Sequence, residues 1–195
     1  MIATHNGYGD VPAVCIDEYP AVRRYLDTFY DKLEKRCDKG STPYNLRNCT
    51  YHGVFGEEKL FWMHMSPVAR FAYSHSESIF CNQKAFVVTG TPVKYLCAIL
   101  NSRIITWYVT NTAVTTGMGL IQWDKFVVET IPIPKLTATE EEPLLELIDK
   151  ILSVKDADTS ADTSQLETEM DRRIYKLYGL TESEIDGAIA SSMSH

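Results

Sequence analysis

The sequence has no Cys-x-x-Cys pair, no Pro-Pro dipeptide, no glycine-rich phosphate loop, no H-E-x-x-H and no G-x-S-x-G. These absences remove the common nucleotide-binding, metalloprotease and serine-hydrolase signatures. Nor does any stretch approach the roughly 18 to 20 uninterrupted apolar residues of a membrane-spanning helix. Residues 1–9 lack the apolar centre of a signal peptide, so a cytoplasmic location is expected. The five cysteines (Cys15, Cys37, Cys49, Cys81, Cys97) are odd in number and widely spaced. That argues against a disulfide framework and makes buried free thiols the expectation. Cys49-x-x-His52 lacks a second ligand pair for zinc. Glu57-x-Lys59 matches half of a metal-dependent nuclease core, but no Pro-Asp lies upstream, and a charged strand entrance explains it as well. The adjacent Ser74 and His75 would point apart on an extended loop, which disfavours a nucleophile and base pair.

What is present is a chain of 195 residues, 45% hydrophobic, with a formal net charge of −7. The total argues against a polyanionic partner, but its distribution does not. Residues 1–135 carry 14 basic and 12 acidic side chains, net +2, and residues 136–195 carry 5 and 14, net −9. Because exposed charges are screened over about 8 Å at physiological salt, acid at one end need not cancel a basic surface elsewhere.

Apolar spacing predicts an amphipathic helix over 17–36 (Val22, Tyr25, Leu26, Phe29, Leu33), strands over 59–65 and 85–89, and a helix from Thr91-Pro92 to about Tyr108. The periodicity assigns Tyr25, Phe29, Trp62 and Trp107 to core faces rather than to a base-stacking platform. A Thr- and Gly-rich stretch holds Met118 between Gly117 and Gly119. Phe126-Val127-Val128 reads as a strand, and Ile131-Pro132-Ile133-Pro134 as a rigid exit. Helices are expected over 140–154 and 166–177, joined by a solvated tandem Ala-Asp-Thr-Ser repeat, with a third opened by the capping box Thr181-x-x-Glu184. The whole reads as an α+β fold: a small, largely antiparallel sheet with packed helices over 1–135, and an acidic helical hairpin over 136–195 packed on it.

Several stretches in order resemble the C-terminal specificity domain of type IIG restriction-modification enzymes and Taq-type adenine methyltransferases. They are Tyr19-Pro20, Tyr25-Leu26, Lys39-Gly40, Tyr44-x-Leu46, Lys59, Tyr95-Leu96-x-x-Ile99-Leu100-Asn101-Ser102, Ile131-Pro132-Ile133-Pro134, and Asp171 through Tyr175-x-Leu177-Tyr178-Gly179-Leu180-Thr181. The resemblance spans about residues 17 to 186. It implies a target recognition domain for double-stranded DNA that directs a separate methyltransferase domain, and a nuclease domain in fused enzymes. S-adenosylmethionine and magnesium would belong to those other domains, since the motif that holds a flipped adenine is absent. The chain is accordingly expected to be non-catalytic, and to be a fragment of a longer parent.

Residues 40–135 hold 8 basic and 5 acidic side chains. Arg pairs bidentately with guanine, and Asn or Gln with adenine. Arg47, Asn48, Arg70, His75, Gln83 and Gln122 are the candidates for base contacts, and Lys59, Lys84 and Lys125 for phosphates. Arg103, inside the predicted helix, is assigned a structural contact. The competing reading is a protein interaction module that uses the acidic C-terminal helices.

Overall fold

The computed structural model describes residues 2–49, 51–82, 84–90, 92–116 and 118–192. They fall into two compact units, Met1–Gly56 and Glu57–His195.

In the first unit the predicted 17–36 helix is two short helices, α1 (Pro20–Asp27) and α2 (Tyr30–Lys35). The break lies at Thr28-Phe29, where the Thr28 hydroxyl donates back to the Tyr25 carbonyl at 2.7 Å. Tyr25 and Phe29 are 56% and 41% exposed, so their expected core role is overturned. The unit is organised by polar groups instead. The Asn45 amide, 2% exposed, donates to the carbonyls of His5 and Val14, while the Asn45 carbonyl accepts from Arg36 and from the Gly40 N–H. A Cβ on Gly40 would stand 2.5 Å from both Asn6 Oδ1 and the Leu46 carbonyl, which explains glycine there. Cys15 and Cys37 are exposed, against the expectation of buried thiols, whereas Cys97 in the second unit is buried and its thiol is pushed up to about 11.

The second unit begins with β1 (Lys59–Met63) and β2 (Met65–Ser66), followed by β3 (Phe71–Ser74) and β4 (Ala85–Thr89). Two helices follow, α3 (Val93–Leu100) and α4 (Arg103–Thr112), then β5 (Ile121–Gln122) and α5 (Lys125–Glu129). The chain ends with α6 (Ala138–Ala157), α7 (Ser164–Leu177) and α8 (Glu182–Ser192). β1 lies between antiparallel β3 and β4, and β2 pairs with β5 in a second small sheet, so the class is α+β. β3 is a strand that the turn-rich sequence around it concealed.

Leu60 and Trp62 point from β1 into the core beneath α3, which is buried on nearly every side between the sheet and α6. An almost wholly apolar helix needs such a two-sided burial. Leu144, Leu147 and Ile148 of α6 and Met170 and Ile174 of α7 complete the core, and Trp107 is half-buried. The Ile-Pro-Ile-Pro exit is held by two tyrosines: Tyr178 donates to the Pro132 carbonyl at 2.7 Å and Tyr95 to that of Pro134 at 2.8 Å. The expected capping box at Thr181 is present, with the Glu184 carboxylate accepting from Thr181, and the structure adds a second in which the Glu140 carboxylate accepts from Thr137. These bonds hold both glutamates below the usual carboxylate range.

Two expectations in this unit are corrected. The 91–108 helix divides at Asn101-Ser102, with Thr91 outside the described residues. Phe126-Val127-Val128 is the short helix α5 rather than a strand. Its half-buried Val127 and Val128 pack on the core while Phe126 is 79% exposed, a pattern that three apolar residues in a row cannot signal.

Candidate nucleic-acid interface

The sheet register sorts the candidate residues of the second unit by end. Trp62 opposes Phe71 on one flank of β1, and Met63 opposes Ala85 on the other. Arg70 and Lys84, each one residue before its strand, therefore flank the same end of β1. Two strand spacings separate them, about 10 Å. Both are exposed, and neither makes an ion pair among the described residues.

The backbone around Arg70 is pinned on both sides. The Ala69 N–H donates to Thr106 Oγ1 at 3.2 Å. Asn101 acts as a strand neighbour for β3: its Oδ1 accepts from the Phe71 N–H and its Nδ2 donates to the Phe71 carbonyl, both at 2.9 Å. Asn101 sits in the break between α3 and α4, so the helix interruption is what frees its side chain to reach the sheet edge. Arg70 is thus presented from a backbone with little freedom, which lowers the entropic cost of using it.

On the other flank the Lys84 N–H is taken up by Asn82 Oδ1 at 2.9 Å, and the Lys84 carbonyl accepts from the His64 N–H at 3.1 Å. His64 Nε2 lies 2.8 Å from Asp124 Oδ1, and the Trp123 N–H donates to the His64 carbonyl at 2.8 Å. The two indoles support this corner. Trp62 Nε1 donates to the Trp123 carbonyl at 2.8 Å and Trp123 Nε1 to the Ser66 carbonyl at 3.1 Å.

From the same corner a hairpin pairs residues 114–116 with residues 120–122. The Gln122 N–H donates to the Val114 carbonyl, the Thr116 N–H to that of Leu120, and the Gly119 N–H to that of Thr116. Gly119 has φ +72°, which favours glycine in this turn. Gln122 pairs with Met65 and is half-buried while its neighbour Ile121 is buried. Lys125 opens α5 and makes an i,i+4 ion pair with Glu129 at 3.5 Å.

Arg70, Lys84, Gln122 and Lys125 are therefore brought to one end of the second unit. His75 is not: it follows Ser74, which opposes Lys59 at the other end of β1. Arg47 and Asn48 are exposed residues of the first unit, where the Asn6 amide donates to Asn48 Oδ1. Gln83 lies outside the described residues. Lys59 must be reassigned. It is 0% exposed, and its ammonium donates to the carbonyls of Glu57 at 2.9 Å and Ser76 at 2.8 Å, so a phosphate cannot reach it. An ammonium inside a protein needs such acceptors to offset lost hydration.

Sequence reasoning overlooked Asn101, Thr106 and His64 as residues that shape this end. Only Asn101 carried a signal, as part of Leu-Asn-Ser, and that signal did not say what the side chain would hold. Among the described residues no three His, Cys, Asp or Glu side chains converge as a metal site, and no helix is long and apolar enough to cross a membrane.

Residues 21–133 match the family model of the TaqI-like C-terminal specificity domain, more than half of the chain. The match begins in α1 and stops within the Ile-Pro-Ile-Pro exit. No curated protein matches the chain.

Proposed function

The chain belongs to the TaqI-like C-terminal specificity domain family, the DNA-recognition module of restriction-modification enzymes, and from this premise we propose that it reads a specific sequence in double-stranded DNA. It directs a separate adenine methyltransferase domain, and a nuclease domain where one is fused, to that site in the cytoplasm. In this reading the chain catalyses nothing. S-adenosylmethionine and magnesium serve the other domains.

The observation that carries the reading is the pairing of Arg70 and Lys84 on the two flanks of one sheet end, with the Arg70 backbone pinned by Thr106 and Asn101. An unpaired guanidinium on a fixed backbone suits bidentate recognition of guanine, and an unpaired ammonium beside it suits a phosphate. Gln122 is a second base reader and Lys125 a second phosphate contact. Arg47 and Asn48 are base-contact candidates of the first unit in its own right, and His75 and Gln83 complete the candidates.

The test offers the full chain a randomised duplex library at low salt and sequences the DNA recovered after several rounds. A defined motif is expected. Binding without enrichment of any motif would overturn recognition, and absence of binding would overturn DNA as the partner.

A further inference from the structure

The 20 residues from Ile104 to Trp123 contain no charged side chain. Within them, α4 is anchored to the core by Ile105 and Val109, whereas the hairpin beyond it leaves Val114 at 68% and Met118 at 84% exposure. Met118 is more exposed than any other large hydrophobic residue described. It stands in the turn closed by the Gly119 N–H and the Thr116 carbonyl, and the sequence sets a glycine on either side of it. The described residues of the turn are therefore uncharged and carry one strongly exposed apolar side chain. Lys84 and Lys125 are exposed cations near the base of the hairpin, and Arg70 is exposed on the other flank of the same sheet end. The nearby carboxylates are engaged, Asp124 by His64 and Glu129 by Lys125.

A single exposed methionine is ordinary on a protein surface, and what sets Met118 apart is an uncharged β turn at the end of the unit that carries exposed cations. That charge pattern selects an occupant. A ribbon without carboxylates meets no repulsion in a nucleic-acid groove, which can admit a two-stranded β element, while cations at its root meet the phosphates on either side. Resting on the DNA-recognition reading, we propose that this hairpin enters a groove of the duplex and that Met118 inserts as an apolar wedge at one base-pair step, unstacking it. The flexible thioether chain suits an irregular gap between bases. Such wedges trade base stacking for a larger contact surface. The hairpin then reads how readily its step opens, so that discrimination arises where no base edge is hydrogen-bonded.

The experiment uses the full chain with a duplex of the selected motif, carrying 2-aminopurine at successive positions. Wild type should raise the fluorescence at one step. Met118→Ser should abolish that rise and weaken binding roughly tenfold, with little loss on a duplex that already holds a mismatch at the same step. Met118→Leu should restore both. Because the side chain is exposed, unfolding midpoints should be unchanged, which separates the effect from misfolding. Tight binding by wild type without a rise, or an equal rise with Met118→Ser, overturns the wedge and leaves the tip to a protein partner. Failure of wild type to bind any duplex overturns the recognition reading itself, and the wedge with it.

Discussion

Asp171 holds Arg103 twice: its Oδ1 accepts from the Arg103 backbone N–H at 3.0 Å, and its Oδ2 lies 3.3 Å from Arg103 Nε. One buried carboxylate on α7 thus satisfies an orphan amide at the start of α4 and secures that helix's first side chain. Since α4 also carries Thr106, the contact stands behind the presentation of Arg70.

Asp171→Ala should destabilise the second unit by about 1–3 kcal/mol, because the Arg103 N–H loses its acceptor. Asp171→Asn keeps one acceptor and should cost less. Burial raises the Asp171 pKa above 3.8, so the folded state favours the protonated form. As pH falls through the folded value toward 3.8, wild type gains stability relative to Asp171→Asn. Urea titrations at pH 7 and pH 4 check the order and the sign.

Lys59 and Lys84 should separate by assay. Replacing the buried Lys59 by Met strands two carbonyls and should lower the unfolding midpoint through a loss of about 2–3 kcal/mol, with the salt slope of DNA binding unchanged. Lys84→Ala should leave the midpoint unchanged, weaken all sequences alike and reduce that slope by about 1. A smaller slope with Lys59→Met would restore it as a phosphate contact.

Arg70→Ala should relax preference at a single base pair by about 1–3 kcal/mol. Asn101→Ala should weaken the same preference indirectly, since it releases both polar groups of Phe71. Competition among single-base variants of the selected motif measures both. A uniform loss with Arg70→Ala would make it a phosphate contact.

The first unit should respond to mild acid. His5 lies with its ring centroid 5.3 Å from that of His52 and 5.0 Å from that of Tyr8, and Tyr8 stacks on His52 at 4.2 Å. Burial, then the neighbouring His52, lowers the His5 pKa from 6.5. The folded unit therefore prefers neutral imidazole, and this stability is lost as pH falls from 6.5 through the folded value. Limited proteolysis within residues 1–56 should accelerate over that window, and His5→Gln should flatten the response.

Much of the fold was legible in the order of residues. The three C-terminal helices, the capping box at Thr181 and the strand at Ala85–Thr89 follow from periodicity and local polar chemistry, which act within a few residues. Phe126 and Tyr25 were not legible, because an apolar residue in a helical pattern does not reveal whether anything packs against it. Lys59 was misread for the complementary reason: a lysine in sequence signals solvent, and its burial draws on the carbonyl of Ser76, 17 residues away.

The sequence by itself determined the residue types, the uncharged stretch before Asp124, the segregation of acid into the last third and the ordered motifs of the family. These depend on covalent order alone. The tertiary structure decided which end of β1 Arg70, Lys84 and His75 occupy, and that Asn101 serves the sheet as well as its own helix. Those outcomes depend on strand register and long-range hydrogen bonds, where one break at Asn101-Ser102 redirects a side chain onto a residue 30 positions away.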